Sequence, residues 1–121
     1  MTADEAMLRK FTKELNAGTV SLVLLAILDA SDEALYGYQI AKSMQGAWQE
    51  GVPVKQGTLY PVLRSMEENG LLESRVEPSV SGPPRKYYSI TVRGREVLGD
   101  WKAAWTRTRD FVDATLEGRL G

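Results

Sequence analysis

The stretch "KQGTLYPVLRSMEENGLL", residues 55 to 72, combines a helical pattern with an internal proline. Its apolar residues recur at intervals of three, one and three, which predicts one buried helical stripe: Leu59, Val62, Leu63 and Met66. Pro61 has no N–H, so in a helix interior it removes one hydrogen bond and clashes with the preceding turn. With a cap near Gln56 to Thr58, it falls in or just after the first turn, where its fixed φ favours a helix. We therefore predict an amphipathic helix that starts shortly before Pro61 and stops at Gly70.

The other side of this helix is polar. Gln56, Tyr60 and Arg64 follow one another at steps of four, with Thr58 beside them, and all four side chains can form hydrogen bonds. Tyr60 taken alone is also compatible with a packed surface aromatic. Its alignment with Gln56 and Arg64 favours a face that contacts another molecule.

Composition limits the class of protein. The 121 residues are 43% hydrophobic and 26% charged, which is typical of one soluble globular domain. Cysteine and histidine are absent, so the commonest metal ligands and the commonest general base are missing. The longest apolar run, Leu22 to Leu28, is far below the roughly 20 residues that span a bilayer. We expect a cytoplasmic protein without signal peptide, membrane contact, metal or cofactor, and not an enzyme.

Charge is unevenly distributed along the chain. Residues 1–35 carry three basic and six acidic groups, residues 36–95 eight and five, and residues 96–121 four and five. The middle segment is thus the only one with a positive balance, although scattered surface charge gives a similar count. This balance makes the middle segment a candidate for contact with a polyanion.

Three helices are predicted before the opening stretch. The first is amphipathic and ends at Gly18, and the second, from Thr19 to Ala30, is apolar nearly all round and belongs in a core. The third lies near residues 33–47. Its polar side carries Tyr38, Gln39 and Lys42.

After Gly70 the pattern changes to a period of two, which predicts one β-hairpin with a turn rich in proline, glycine and serine. Arg85 and Lys86 lie on its returning strand, where they either reach a phosphate backbone or simply solvate the hairpin. Thr91 is then expected to cap a last helix that ends near Gly118. That helix has a heptad-like seam, which a second chain would cover: Leu98, Trp101, Trp105, Thr108, Val112 and Thr115.

This order of elements is that of a winged helix-turn-helix. The segments "YGYQIAKSM", "QGTLYPVLRSMEENGLL" and "SGPPRKYYSITVRGREVL" together resemble the PadR family of bacterial transcriptional regulators, in its smaller subgroup with one C-terminal helix. The resemblance implies a mainly α fold with a two-stranded β wing. It implies an N-terminal helix and winged helix-turn-helix over residues 1–90, and a long C-terminal dimerisation helix over residues 91–121.

The same resemblance implies a homodimeric repressor that binds an inverted repeat in double-stranded DNA and is released by a small aromatic effector. The DNA-binding residues would lie on the recognition helix, its supporting helix and the wing: Gln56, Thr58, Tyr60, Arg64, Tyr38, Gln39, Lys42, Arg85 and Lys86. Ser89 departs from the family, which often has arginine after the paired tyrosines. One phosphate contact of the wing is therefore expected to be missing.

The effector or dimer surface would involve the C-terminal seam and the first helix: Met7, Leu8, Leu98, Trp101, Trp105, Thr108 and Val112. Some members of the family bind flat aromatic compounds between tryptophans of this region, whereas aromatic residues on a seam more often serve core or interface packing. Two other functions stay open. One is a winged-helix module that binds protein, and the other is a small-molecule sensor with secondary DNA contact.

Overall fold

The computed structural model describes residues 1–47 and 56–119. The elements in these ranges are α1 (Ala3–Ala30), β1 (Leu35–Tyr36), α2 (Gly37–Ala47), α3 (Gln56–Glu68), β2 (Leu72–Glu77), β3 (Arg85–Ile90) and α4 (Val92–Leu116). The described ranges thus hold four helices and one small antiparallel sheet. The mainly α winged-helix class predicted from the sequence is thereby confirmed.

The first two predicted helices are one continuous helix. α1 has 28 residues, and Thr2 opens it with a capping box in which the Thr2 hydroxyl accepts from Glu5 and the Glu5 carboxylate accepts from Thr2. The break predicted at Gly18 is wrong. An interior glycine costs only about 1 kcal/mol, which long helical segments on both sides outweigh.

α1 is also the one helix in the described ranges that is long and apolar enough, by length and composition, to cross a membrane. Core helices of soluble proteins have the same properties. Leu24, Leu25 and Leu28 are buried against the rest of this chain. The C-terminal half of α1 is therefore a core helix, as its apolar pattern predicted.

The sheet has three strands in the order β1-β3-β2, and not only the two of the predicted hairpin. β2 and β3 pair antiparallel from Leu72 opposite Ile90 to Glu77 opposite Arg85. β1 adds Leu35 and Tyr36 to the other edge of β3. Because these two residues are in the sheet, α2 begins at Gly37 and not near residue 33. We use "wing" for β2, β3 and the turn between them.

Every helix and the sheet contribute to one core. Its most completely buried side chains come from α1, α2, α3 and α4: Leu24, Leu25, Ile40, Met44, Leu59, Leu63 and Leu98. Tyr88 and Ile90 close the core from the sheet. Leu98, predicted on the dimer seam, is only 2% exposed within its own chain. Its side chain is thus covered by its own chain, because the first two turns of α4 pack on the core, and a dimer seam on α4 stays a prediction for the residues beyond it.

The end of α3 is bonded to the start of α4. Gly70 adopts φ of 78°, and Leu71 N–H donates to the Met66 carbonyl at 2.9 Å, which closes the helix as the sequence predicted. The Thr91 hydroxyl caps α4 by accepting from Gly94 N–H at 2.9 Å, and it donates to the Gly70 carbonyl at 2.7 Å. The end of α3 and the start of α4 are therefore held together around Gly70 and Thr91.

Candidate nucleic-acid interface

The outward side of α3 carries the predicted contact face. Thr58, Tyr60 and Arg64 are exposed, while Leu59 and Leu63 on the opposite side are buried. Arg64 forms no ion pair with any carboxylate in the described ranges. The Gln56 side chain lies outside the described part. Pro61 is in the second turn of α3, where its missing N–H leaves out the bond to the Gly57 carbonyl.

Tyr60 lies against the start of α2. It is 43% exposed, and its ring covers the α-carbon of Gly37, where an added Cβ would stand 2.9 Å from Oη and 3.0 Å from Cε1. Gly37 itself is buried. The close approach of these two residues sets the ring of Tyr60 relative to the supporting helix.

The predicted residues of the supporting helix, Tyr38, Gln39 and Lys42, are all exposed on α2. The side chain of Gln39 also has a partner within the chain, because its Oε1 accepts from Tyr36 N–H at 3.1 Å. The Tyr38 ring stacks on Tyr36, with 6.4 Å between centroids. Tyr36, which the sequence pattern did not single out, thus lies at the centre of an aromatic group beside the wing.

The two cations of the wing have different surroundings. The Arg85 guanidinium lies over the Tyr36 ring, 4.5 Å from its centroid, within cation–π range. Lys86 Nζ donates to Glu67 Oε1 at 3.0 Å. Lys86 was predicted as a phosphate contact, and in the structure its ammonium already has a carboxylate partner.

Glu67 joins α3 to the wing. Its Oε2 accepts a hydrogen bond from the Ser74 hydroxyl on β2, and its Oε1 accepts from Lys86 on β3. The Ser74 hydrogen bond first, and then Lys86, lower the pKa of the Glu67 carboxyl, and the bond to Glu67 raises the pKa of Lys86. Both groups are therefore charged at neutral pH. Glu67 could not be selected from sequence patterns, since its partners are 7 and 19 residues away along the chain.

An open cleft of about 360 Å³ separates the wing from α3 and α2. Aromatic rings and cations line it, among them Tyr36, Tyr38, Tyr60, Arg85 and Lys86. Such surroundings offer hydrogen-bond donors and positive charge to phosphate and to base edges. Of the predicted residues, Tyr60 of α3, Tyr38 of α2, and Arg85 and Lys86 of β3 therefore line one cleft. Four others are exposed on the same helices but do not line it: Thr58, Arg64, Gln39 and Lys42.

A second feature lies between α1 and α4. An apolar groove of about 480 Å³ is lined by Leu15, Gly18, Leu22, Trp101, Trp105 and Thr108, among others. Met7 and Leu8, predicted beside the tryptophans, do not line it, although they are 64% and 65% exposed further along α1. Trp101 also lines a cavity of about 440 Å³ that reaches Pro61 and Val62 of α3.

Both long helices expose apolar side chains beyond the groove. On α1 these include Met7, Leu8 and Phe11, and on α4 Phe111, Val112 and Leu116. Large exposed apolar surface is typical of an interface.

Known proteins match both the sequence and the fold. A profile of the Transcriptional regulator PadR-like family matches residues 24–100. The crystal structure of a PadR family transcriptional regulator from Eggerthella lenta is 36% identical, with a TM-score of 0.82 over 95% of this chain and 96% of that one. A PadR-like transcriptional regulator from Bacillus cereus is 31% identical, with a TM-score of 0.70 over 85% and 96% of the two chains.

A curated transcriptional regulator of Mycobacterium tuberculosis is 33% identical over 75 residues, which are 62% of this chain and 66% of that protein. The residues that the family profile matches, 24–100, contain the end of α1, then α2, α3, the wing and the start of α4. The chain belongs to the PadR-like family of transcriptional regulators.

Proposed function

We propose that this chain is a homodimeric repressor that binds an inverted-repeat operator through α3 and the wing. The observation that carries the proposal is the exposed face of Thr58, Tyr60 and Arg64 on α3. Tyr60 of this face lines the same cleft as Arg85 of the wing. Tyr60 and Thr58 read base edges, and Gln56 extends the face. Arg64 binds a guanine or a phosphate, and Arg85 binds the flanking backbone.

The dimer forms through the exposed apolar sides of α1 and α4. Phe11 is 58% exposed and Phe111 63% exposed, so a single chain leaves large aromatic surfaces in water. A two-fold arrangement through these helices presents two α3 helices to successive major grooves, about 34 to 36 Å apart. The protein acts on DNA in the cytoplasm.

The effector proposed for this repressor is a planar aromatic compound in the groove between α1 and α4. Trp101 and Trp105 supply flat apolar surfaces there, as such ligands require. Trp101 also lines the cavity beside Pro61 and Val62, so a ligand that moves this ring acts on the packing of α3. The groove is the observation that favours the alternative of a small-molecule sensor.

The test is binding to the DNA immediately upstream of the protein's own coding region, followed by fluorescence anisotropy over a range of salt concentrations. The wild type should bind with affinity that falls steeply with salt. Tyr60→Ala with Arg64→Ala should abolish specific binding and leave the dimer intact, as judged by analytical ultracentrifugation. Lys102→Ala, an exposed cation on α4, is the matched control and should bind as the wild type does.

Binding without salt dependence, or full binding by the double variant, contradicts the proposed face. A strictly monomeric wild type contradicts the proposed assembly. Titration of tryptophan fluorescence with planar aromatic compounds tests the effector, since a ligand in the groove must change the emission of Trp101 or Trp105.

A further inference from the structure

Arg85 and Lys86 are neighbours in sequence and lie on opposite faces of β3. Successive side chains of a strand point to opposite sides of the sheet. Lys86 therefore shares a face with Tyr88 and Ile90, which are buried against the core. Arg85 shares the other face with Tyr87 and lies over Tyr36. The two cations accordingly meet different neighbours.

On the inner face, one carboxylate connects three elements. Glu67 is in the last turn of α3, Ser74 is on β2 and Lys86 is on β3. Each oxygen of Glu67 accepts from one strand of the wing, Oε2 from Ser74 and Oε1 from Lys86. Lys86 Nζ also lies 5.4 Å from the centroid of the Tyr88 ring. This arrangement ties the wing to the recognition helix at the rim of the core.

The ion pair also changes what Lys86 offers to DNA. Phosphate binding gains affinity by releasing counterions in proportion to the number of phosphates that cations neutralise. Lys86 with Glu67 has no net charge, whereas the Arg85 guanidinium forms no ion pair with a carboxylate in the described ranges. Stacking on Tyr36 moreover restricts the orientations of Arg85 before DNA arrives.

We propose that Glu67 is a positioning residue that fixes the wing against α3 through Ser74 and Lys86, and that Arg85, not Lys86, makes the phosphate contact of the wing. The inference rests on the proposed DNA-binding function and deepens it. It assigns different roles to two adjacent cations that the sequence treats alike.

The salt dependence of operator binding separates these roles. The plot of log K against log salt has a negative slope. Arg85→Gln should make this slope shallower by about 0.9 per subunit, because one phosphate contact is lost. The double variant Glu67→Gln with Lys86→Gln removes the pair without changing the net charge. Its slope should equal that of the wild type, while its affinity falls by about two- to fivefold at every salt concentration, the range for an exposed ion pair.

The control is the other ion pair of the wing. Arg75 and Glu77, 2.6 Å apart on β2, are also net neutral but do not reach α3. Arg75→Gln with Glu77→Gln should leave both the slope and the affinity unchanged. The assignment would be overturned if the Glu67 and Lys86 double variant had a slope as shallow as that of Arg85→Gln, because Lys86 would then be a phosphate contact.

Amide hydrogen exchange without DNA tests the positioning role independently. Glu67→Ala should speed exchange at the outer end of the β2–β3 ladder, and Glu68→Ala, an exposed carboxylate on the same turn, should not. Equal exchange in both variants overturns the role of Glu67. If the wild type does not bind DNA but this difference appears, the proposed function fails and the tether between α3 and the wing stands.

Discussion

The close approach of Gly37 to Tyr60 makes Gly37→Ala a sharp test of the recognition face. The new Cβ would lie 2.9 Å from Tyr60 Oη and 3.0 Å from Cε1, and ordinary contact begins at 3.4 Å. The ring must therefore shift by about half an ångström, which matches the tolerance of roughly 0.5 Å for a binding group. The displaced atoms are the far end of a side chain, so the backbone does not need to move.

We expect operator affinity to fall while the fold survives. Losing one base contact weakens binding by about 1 to 3 kcal/mol, and this range is the upper bound for each subunit. Gly37 is the first residue of α2 and its φ is not positive, so alanine there restricts the unfolded chain and adds about 0.4 to 1 kcal/mol of stability, which offsets the cost of moving the ring. The melting temperature of Gly37→Ala should accordingly differ from that of the wild type by only a few degrees.

Fluorescence anisotropy with the operator should be measured for Gly37→Ala, Tyr60→Ala and the double variant. If Gly37 acts through Tyr60, the double variant binds no more weakly than Tyr60→Ala. Gly99→Ala is the control, since a Cβ at Gly99 meets no atom within 4 Å. The reasoning would be refuted if Gly37→Ala bound the operator as tightly as the wild type. It would also be refuted if Gly37→Ala weakened binding by the same factor in the Tyr60→Ala background as in the wild type.

Further predictions concern stability, assembly and pH. Gly94→Ala should destabilise the fold by about 1 to 3 kcal/mol or more, because its Cβ would lie 2.2 Å from the Leu71 carbonyl oxygen; Gly99→Ala on the same helix should not destabilise it, and equal melting temperatures would contradict this account. Leu98→Ala should lower the free energy of unfolding by about 2 to 5 kcal/mol in urea titrations, a loss that a seam residue outside the core would not show. Phe11→Glu should shift the dimer towards monomer in sedimentation, because it places a charge in the proposed apolar interface. The lowered pKa of Glu67 gives a stabilisation that is present above its unfolded pKa and is lost as pH falls through the folded pKa; Glu67→Gln should therefore flatten the loss of stability in acid.

The helical and strand periodicities of the sequence predicted most of the fold. The buried stripe of α3, its stop at Gly70, the cap at Thr91 and the paired strands of the wing all follow from local spacing and turn residues. β1 was missed because two residues are too few to show alternation. The continuity of α1 through Gly18 was missed because a glycine stops a helix only when the following residues do not continue it.

For the candidate site, the sequence predicted only which residues lie on the outward faces of the helices and of the wing. The pattern placed Tyr60 and Arg64 outward, but it could not show that the Tyr60 ring packs on Gly37 or that Lys86 forms an ion pair with Glu67. Those contacts join residues from different elements, and their geometry depends on the packing of the whole core. Leu98 shows the same limit, since periodicity predicts an apolar stripe and not which protein surface covers it.

The burial of Leu98 also has a consequence for synthesis. The ribosome releases residues in order, so α1, α2, α3 and the wing emerge before the side chain that completes their shared core. A nascent chain that ends at residue 90 lacks this side chain and the Thr91 hydroxyl that donates to the Gly70 carbonyl. We therefore expect a translation product truncated at residue 90 to lack both a complete core and the helix proposed to recruit the second subunit.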